Sequence, residues 1–183
     1  MARVTVIICN WNGGGYVERC LRALERQTYR DFRVVVVDNA SSDGSVERIE
    51  RDFPAVKLVR AGANLGFAGG NNLGLRHAAG SEWVALLNPD AFAEPAWLES
   101  LVGAAMRRPQ CASIGSTLLR ASDPAVLDGV GDVYHVSGLH WREGHGKRRA
   151  ARALMAKEIF APCAAAALYR LAALTEAGGF DER

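Results

Sequence analysis

Four short apolar runs, each closed by polar residues and followed by a helical pattern, constrain this chain more than any other feature. They span residues 4–9, 33–38, 56–59 and 83–87 and are rich in Val, Ile and Leu. Continuous rather than alternating runs of this length mark strands buried on both faces, as parallel sheets require. Between them, Val17, Cys20, Leu21 and Leu24 recur at helical spacing, and so do Val46, Ile49 and Phe53. Ser41-Ser42-Asp43-Gly44-Ser45 supplies capping side chains for the second helix. Residues 66–79 read as a Gly/Asn-rich loop running into a helix. Pro95 fits the first turn of another helix, whose apolar face is Trp97, Leu98, Leu101, Val102, Ala105 and Met106. Residues 112–119 suggest a fifth strand. The fold class is therefore α/β, with a mainly parallel central sheet flanked by helices and a Rossmann-like N-terminal half.

Character changes after Arg120. Residues 128–146 are rich in Gly, His and polar side chains and read as a long surface loop. Residues 160–169 return to apolar, and residues 171–177 form a short helix closed by Gly178-Gly179. No linker divides the 183 residues, so they read as one domain with a ligand-binding half (1–120) and a smaller second half (121–183).

Lys plus Arg number 22 against 20 Asp plus Glu, a near balance that gives no electrostatic case for nucleic acid. Cys9, Cys20, Cys111 and Cys163 lack CxxC pairing, which predicts reduced thiols and a cytoplasmic location. The run at residues 4–9 is too short for a signal-peptide core or a membrane span.

In open parallel sheets ligands sit beyond the carboxyl ends of the strands. Here those ends are Asn10-Trp11-Asn12, Asp38-Asn39 and Asn88-Pro89-Asp90. A nucleobase can stack on Trp11, Asp38 can accept from a base N–H or a ribose hydroxyl, and Asp90 can hold a divalent cation against a diphosphate. Each residue alone could be a polar turn residue; three coincident strand ends argue for a site. The order strand, glycines, helix, strand, acid also suits a dinucleotide-binding βαβ unit. However, Gly13-Gly14-Gly15 is followed by Tyr16-Val17-Glu18, which lacks the third small residue of that fingerprint. A Rossmann-type oxidoreductase is the lesser alternative, and a non-catalytic nucleotide-sugar-binding module is another.

These segments, together with Asn64-Leu65-Gly66-Phe67-Ala68-Gly69-Gly70-Asn71-Asn72 and Gly178-Gly179-Phe180-Asp181-Glu182, resemble the family 2 glycosyltransferases of GT-A fold, particularly their rhamnosyltransferase-like branch. The resemblance implies an inverting transferase that moves a sugar from a nucleotide-sugar, dTDP-rhamnose or a UDP-sugar, to a hydroxyl acceptor. That acceptor would be a cell-envelope glycan or its lipid-linked precursor. It implies that Asn10, Trp11, Asn12, Asp38, Asn39, Asn64, Gly66, Asn72 and Asn88 bind the donor. Asp90 would meet Mn2+ or Mg2+ and Asp181 would position the acceptor. Asn88 stands where the family more often has an Asp, which removes one carboxylate from the cation site. The resemblance also places the catalytic base beyond Arg183, so that residues 1–183 would bind donor and transfer poorly.

Lesser signals complete the reading. His135, His140 and His145 lack the tight ligand pairing of a soft metal site. Lys147, Arg148, Arg149 and Arg152 make the second half locally basic and suit a lipid diphosphate or peripheral contact with the inner membrane surface. Cys163, Trp83 and Trp97 read as core residues.

Overall fold

The computed structural model describes residues 3–149 and 155–183. Strand β1 (Val4–Asn10) lies between β2 (Phe32–Asp38) and β4 (Trp83–Leu87), parallel to both. Strand β3 (Lys57–Arg60) continues the parallel set beyond β2. Beyond β4, β10 (Ala166–Arg170) runs antiparallel and carries β5 (Ser113–Gly115) on its far side. The six-stranded order is β3-β2-β1-β4-β10-β5. The chain grows from β1 toward β3 in one direction and then crosses to β4 in the other. The switch point therefore falls between β1 and β4, where a crevice opens beyond the strand ends.

Alternation along the strands divides the core into two layers. Val4, Val6 and Ile8 of β1 face helices α1 (Gly14–Glu25), α2 (Ser45–Asp52) and α4 (Trp97–Arg107). Ile7 with Val35, Val37, Val84 and Leu86 faces the other side, where α3 (Gly66–Leu75) and α5 (Leu171–Glu176) pack. Helix α3 lies flat on β1 because it is built from glycines. A Cβ on Gly74 would sit 2.5 Å from Ile7 Cγ2, and one on Gly70 would sit 2.9 Å from Cys9 Sγ.

Several expectations are corrected by tertiary context. The stretch at 112–119 is two strands: β5 joins the main sheet, whereas β6 (Leu118–Arg120) pairs with β7 (Asp123–Gly129). Residues 128–146 are not a loop but part of a β-ribbon, in which β8 (Asp132–Tyr134) pairs with β9 (His140–Arg142). Polar, glycine-rich composition hides a ribbon whose faces are both largely solvated. Gly44 at φ 75° precedes α2, and Asp43 of the expected capping stretch accepts the Ser45 amide. Phe53 follows α2 instead of lying within it, although its ring is buried. Pro95 precedes α4 by two residues, and Met106 is exposed rather than on the apolar face. Trp83 is buried; Trp97 and Cys163 are only partly so. The closure at Gly178-Gly179 holds, with Gly179 N–H donating to Leu174 O at 2.9 Å.

Candidate functional site

The crevice at the switch point is a cleft of about 460 Å³. Trp11, Asn12, Asn39, Asn64, Gly66, Asn88 and Asp90 line it, so the three strand ends and the α3 loop meet as expected. Tyr16 and Phe67 line it too, and both are exposed, as is Trp11. Three solvated aromatic rings around one cleft offer stacking surface for a planar ligand. Tyr16 and Phe67 escaped the sequence reading because neither ends a strand. The signal for Tyr16 was its place one turn into the helix that follows Gly13.

Asn10 and Asp38 stand behind the cleft surface. Asn10 is fully buried, and its Nδ2 lies 3.2 Å from Asp38 Oδ1, 3.0 Å from Ser41 Oγ and 2.9 Å from Ser45 Oγ. The Ser41 amide donates to Asp38 Oδ2 at 3.2 Å. This network ties the end of β1 to the turn after β2 and fixes the cleft floor. The Ser41 hydroxyl also accepts the Asn12 amide at 2.9 Å, and Asn12 Oδ1 accepts the Ser42 amide at 2.8 Å. Asp43 braces the same turn. Burial pulls its carboxyl upward, but hydrogen bonds from the Ser45 hydroxyl and the Ser45 and Gly14 amides outweigh that and hold it below the usual range.

This floor is built at a cost in stability. Asn12 (φ 49°) and Ala40 (φ 61°) adopt left-handed backbone conformations, each worth about 1–3 kcal/mol of strain. Asn10 Oδ1 and Asn39 Oδ1 are buried without a donor among the described residues. Unpaired buried amide oxygens cost about 1–3 kcal/mol each; Trp83 Nε1, in the core away from the cleft, is likewise without a partner among the described residues. The Asn39 amide nitrogen is used: it donates to Gly66 O at 3.0 Å and docks the α3 loop on the cleft.

Asp90 is exposed and makes no ion pair or side-chain hydrogen bond among the described residues. Among those residues no three His, Cys, Asp or Glu side chains converge as a metal cage. One free carboxylate beside an amide suits a hard cation that takes its remaining oxygens from a ligand. Cys20 lies beneath this corner, with its thiol 3.6 Å from Asn88 O.

Two of the expected residues lie elsewhere. Asn72 does not line the cleft. Its Nδ2 donates to Phe180 O (2.8 Å) and Glu182 Oε1 (2.7 Å), and its Oδ1 accepts the Phe180 amide at 2.9 Å. Asn72 and Glu182 border a second hollow, of about 440 Å³, between α3 and α5. Asp181 is exposed, and its carboxylate is held by the Arg183 guanidinium at 2.9 Å through both oxygens. That pairing keeps its carboxyl below the usual range.

Comparison with known proteins places the chain in a family. The family model described as glycosyl transferase family 2 matches residues 5–177. The chain belongs to that family. This family 2 glycosyltransferase chain is 28% identical to the N-acetylglucosaminyl-diphospho-decaprenol L-rhamnosyltransferase of Mycobacterium tuberculosis, over 97% of its own length and 64% of the relative's. It therefore spans less than two thirds of that relative. Among solved structures, it superposes on the Pyrobaculum calidifontis mannosyltransferase PcManGT, in complex with GDP-Man and Mn2+, with TM-score 0.69 and 25% identity. That match covers 98% of this chain and 48% of the other. Against S. aureus TarS 1-349 in complex with UDP the TM-score is 0.70 at 20% identity, over 100% and 51% of the two chains. The fold is GT-A. The oxidoreductase alternative falls with the family assignment.

Proposed function

We propose that the cleft binds a nucleotide-sugar and that the protein transfers its sugar, with inversion, to a hydroxyl of a lipid-linked or cell-envelope glycan. The observation that carries this reading is the convergence of Trp11, Asn39 and Asp90 on one cleft at the switch point of the sheet. Trp11 supplies a stacking face for the base. Asp38, steadied by Asn10 and Ser41, supplies an acceptor for base or ribose at the cleft floor. Asp90, with Asn88 beside it, would hold Mn2+ or Mg2+, which neutralises charge on the departing nucleoside diphosphate.

Inversion follows from direct displacement. A carboxylate takes the acceptor proton as the hydroxyl oxygen attacks the anomeric carbon, and the bond to the diphosphate breaks on the opposite face. Asp181, already paired with Arg183, is suited to positioning the acceptor rather than to taking its proton. The M. tuberculosis relative is named for a decaprenol-linked acceptor and a rhamnosyl group, which supports dTDP-rhamnose as donor and a polyprenyl-linked glycan as acceptor. A lipid-linked acceptor in turn supports peripheral contact with the cytoplasmic face of the membrane.

A thermal-shift panel of dTDP-rhamnose, UDP-sugars, GDP-mannose and NAD, with and without Mn2+, tests the reading. Ligand that binds the folded state raises Tm by mass action. One nucleotide-sugar should stand above the rest and gain from Mn2+. A response to NAD alone, or none to any nucleotide-sugar, would refute the proposal. Turnover with a polyprenyl-linked acceptor separates an enzyme from a binding module.

A further inference from the structure

Away from the cleft, a cluster of exposed apolar side chains sits at one end of the β8–β9 ribbon. Val136 is 95% exposed and Leu139 67%, and both lie in the turn that closes the ribbon. Tyr134 and Trp141 flank them, and Phe160 stacks on Tyr134 with ring centroids 5.4 Å apart. The turn is closed by hydrogen bonds. His135 N–H donates to Leu139 O at 2.8 Å, Gly138 N–H donates to His135 O at 2.9 Å, and the His135 ring meets the Ser137 hydroxyl at 2.8 Å. Gly138 sits at φ 85°, which lets the turn close tightly and point its neighbours outward.

Residues 123–149 carry four acids (Asp123, Asp128, Asp132 and Glu143) and four Lys or Arg, but three of the cations gather at 147–149 and no acid occurs from Val133 to Arg142. Asp128 is engaged by Arg142 and His145, and Glu143 by Lys157. Behind the tip, residues 146–149 run along β7, with Val126 bridged to Arg148, so that one ribbon carries both features. Lys147, Arg148 and Arg149 are exposed there and make no ion pair among the described residues; Arg152 lies outside them. A turn at residues 143–146 separates the tip from these cations, so the two features sit at different places along the ribbon.

Exposed Val and Leu at a tip, Tyr and Trp around it, and unpaired cations behind it match a surface that is apolar a few ångströms deep and anionic at its face. Among the described residues no helix is long and apolar enough to cross a membrane. We infer that the β8–β9 ribbon is a membrane-docking element, which seats Val136 and Leu139 among the acyl chains and Lys147, Arg148 and Arg149 on the headgroups of an anionic bilayer. The inference rests on the lipid-linked acceptor proposed above, because it would bring the cleft to the surface where such an acceptor resides.

Flotation with vesicles of phosphatidylcholine, alone or equimolar with phosphatidylglycerol, tests it. The protein should float with the anionic vesicles, weakly with the neutral ones, and less as salt rises. Val136→Asp with Leu139→Asp should lower vesicle affinity on the order of tenfold or more, and Lys147→Gln, Arg148→Gln and Arg149→Gln by roughly fivefold per site. These side chains are solvated, so the variants should melt like the parent and keep its nucleotide-sugar response. Failure of that response would therefore count against the transferase reading and leave the docking result standing. No flotation with either vesicle, or flotation untouched by the tip substitutions, would overturn the inference. So would a dimer in sedimentation that the tip substitutions abolish in protein that does not float.

Discussion

Trp11 and Asp90 divide the proposed donor between them, and their substitutions separate the two contributions. Trp11 is 57% exposed on the cleft, so truncation removes stacking surface without opening the core. Stacking of a base on an aromatic ring is worth about 1–3 kcal/mol. Trp11→Ala is therefore expected to weaken nucleotide-sugar binding about 5- to 150-fold, equally with and without Mn2+, as calorimetry would record. Asp90→Ala is expected to do the opposite: it should remove the gain that Mn2+ confers and leave metal-free affinity nearly unchanged. Both proteins should keep the parent Tm. A metal response that survives Asp90→Ala would move the cation site elsewhere in the cleft.

Helix α3 connects the cleft to the C-terminal motif, and its two ends are tied differently. At its start Asn39 grips Gly66 O, and at its middle Asn72 grips Phe180 and Glu182 with three hydrogen bonds. Gly179 must be glycine there, since its φ is 84° and a Cβ would lie 2.6 Å from Asn72 Oδ1. Asn72→Ala is expected to loosen residues 178–183, seen as faster amide hydrogen exchange, with donor affinity changed less than about twofold; a large loss of donor affinity would return Asn72 to the cleft. This role was not legible in the sequence, where Asn72 stood in the same motif as Asn64 and Gly66. The partners of Asn72 lie 108 and 110 residues away, and only folding brings them together. Strands β1, β2 and β4, by contrast, were readable because burial leaves an unbroken apolar run, whereas the edge strand β3 is only partly buried and showed a shorter one. The convergence of Trp11, Asn39 and Asp90 was readable too, from their places at the carboxyl ends of parallel strands. Asp38 was readable as a strand end but not as a buried one. The β8–β9 ribbon was missed because a strand with both faces largely solvated carries no periodic apolar signal.

The sheet and its helices also set how the folded chain responds to alkali. Cys20 is fully buried between α1 and the end of β4, where burial, and then the negative charge of Asp90, push its thiol from the ordinary 9.0 up to about 12. Cys9, under α3, is pushed to about 12 by burial, and burial raises the Tyr169 phenol to about 12 as well. Each group is held neutral in the folded state but ionises more readily once unfolded. The sign follows: above the unfolded value the unfolded chain binds fewer protons, so stability present below about pH 9 falls progressively toward pH 12. A single fully buried thiol contributes up to about 1.4 kcal/mol per pH unit in that window. Tm is therefore expected to hold steady from pH 7 to 8.5 and then to drop as pH rises further. Cys20→Ala removes one of these groups at the cost of a small cavity. Its Tm at neutral pH should be lower than the parent's, but its decline with alkali should be shallower, because one fewer proton is released on unfolding. Parallel declines in the two proteins would mean that Cys20 is not held protonated by its burial beneath the cleft.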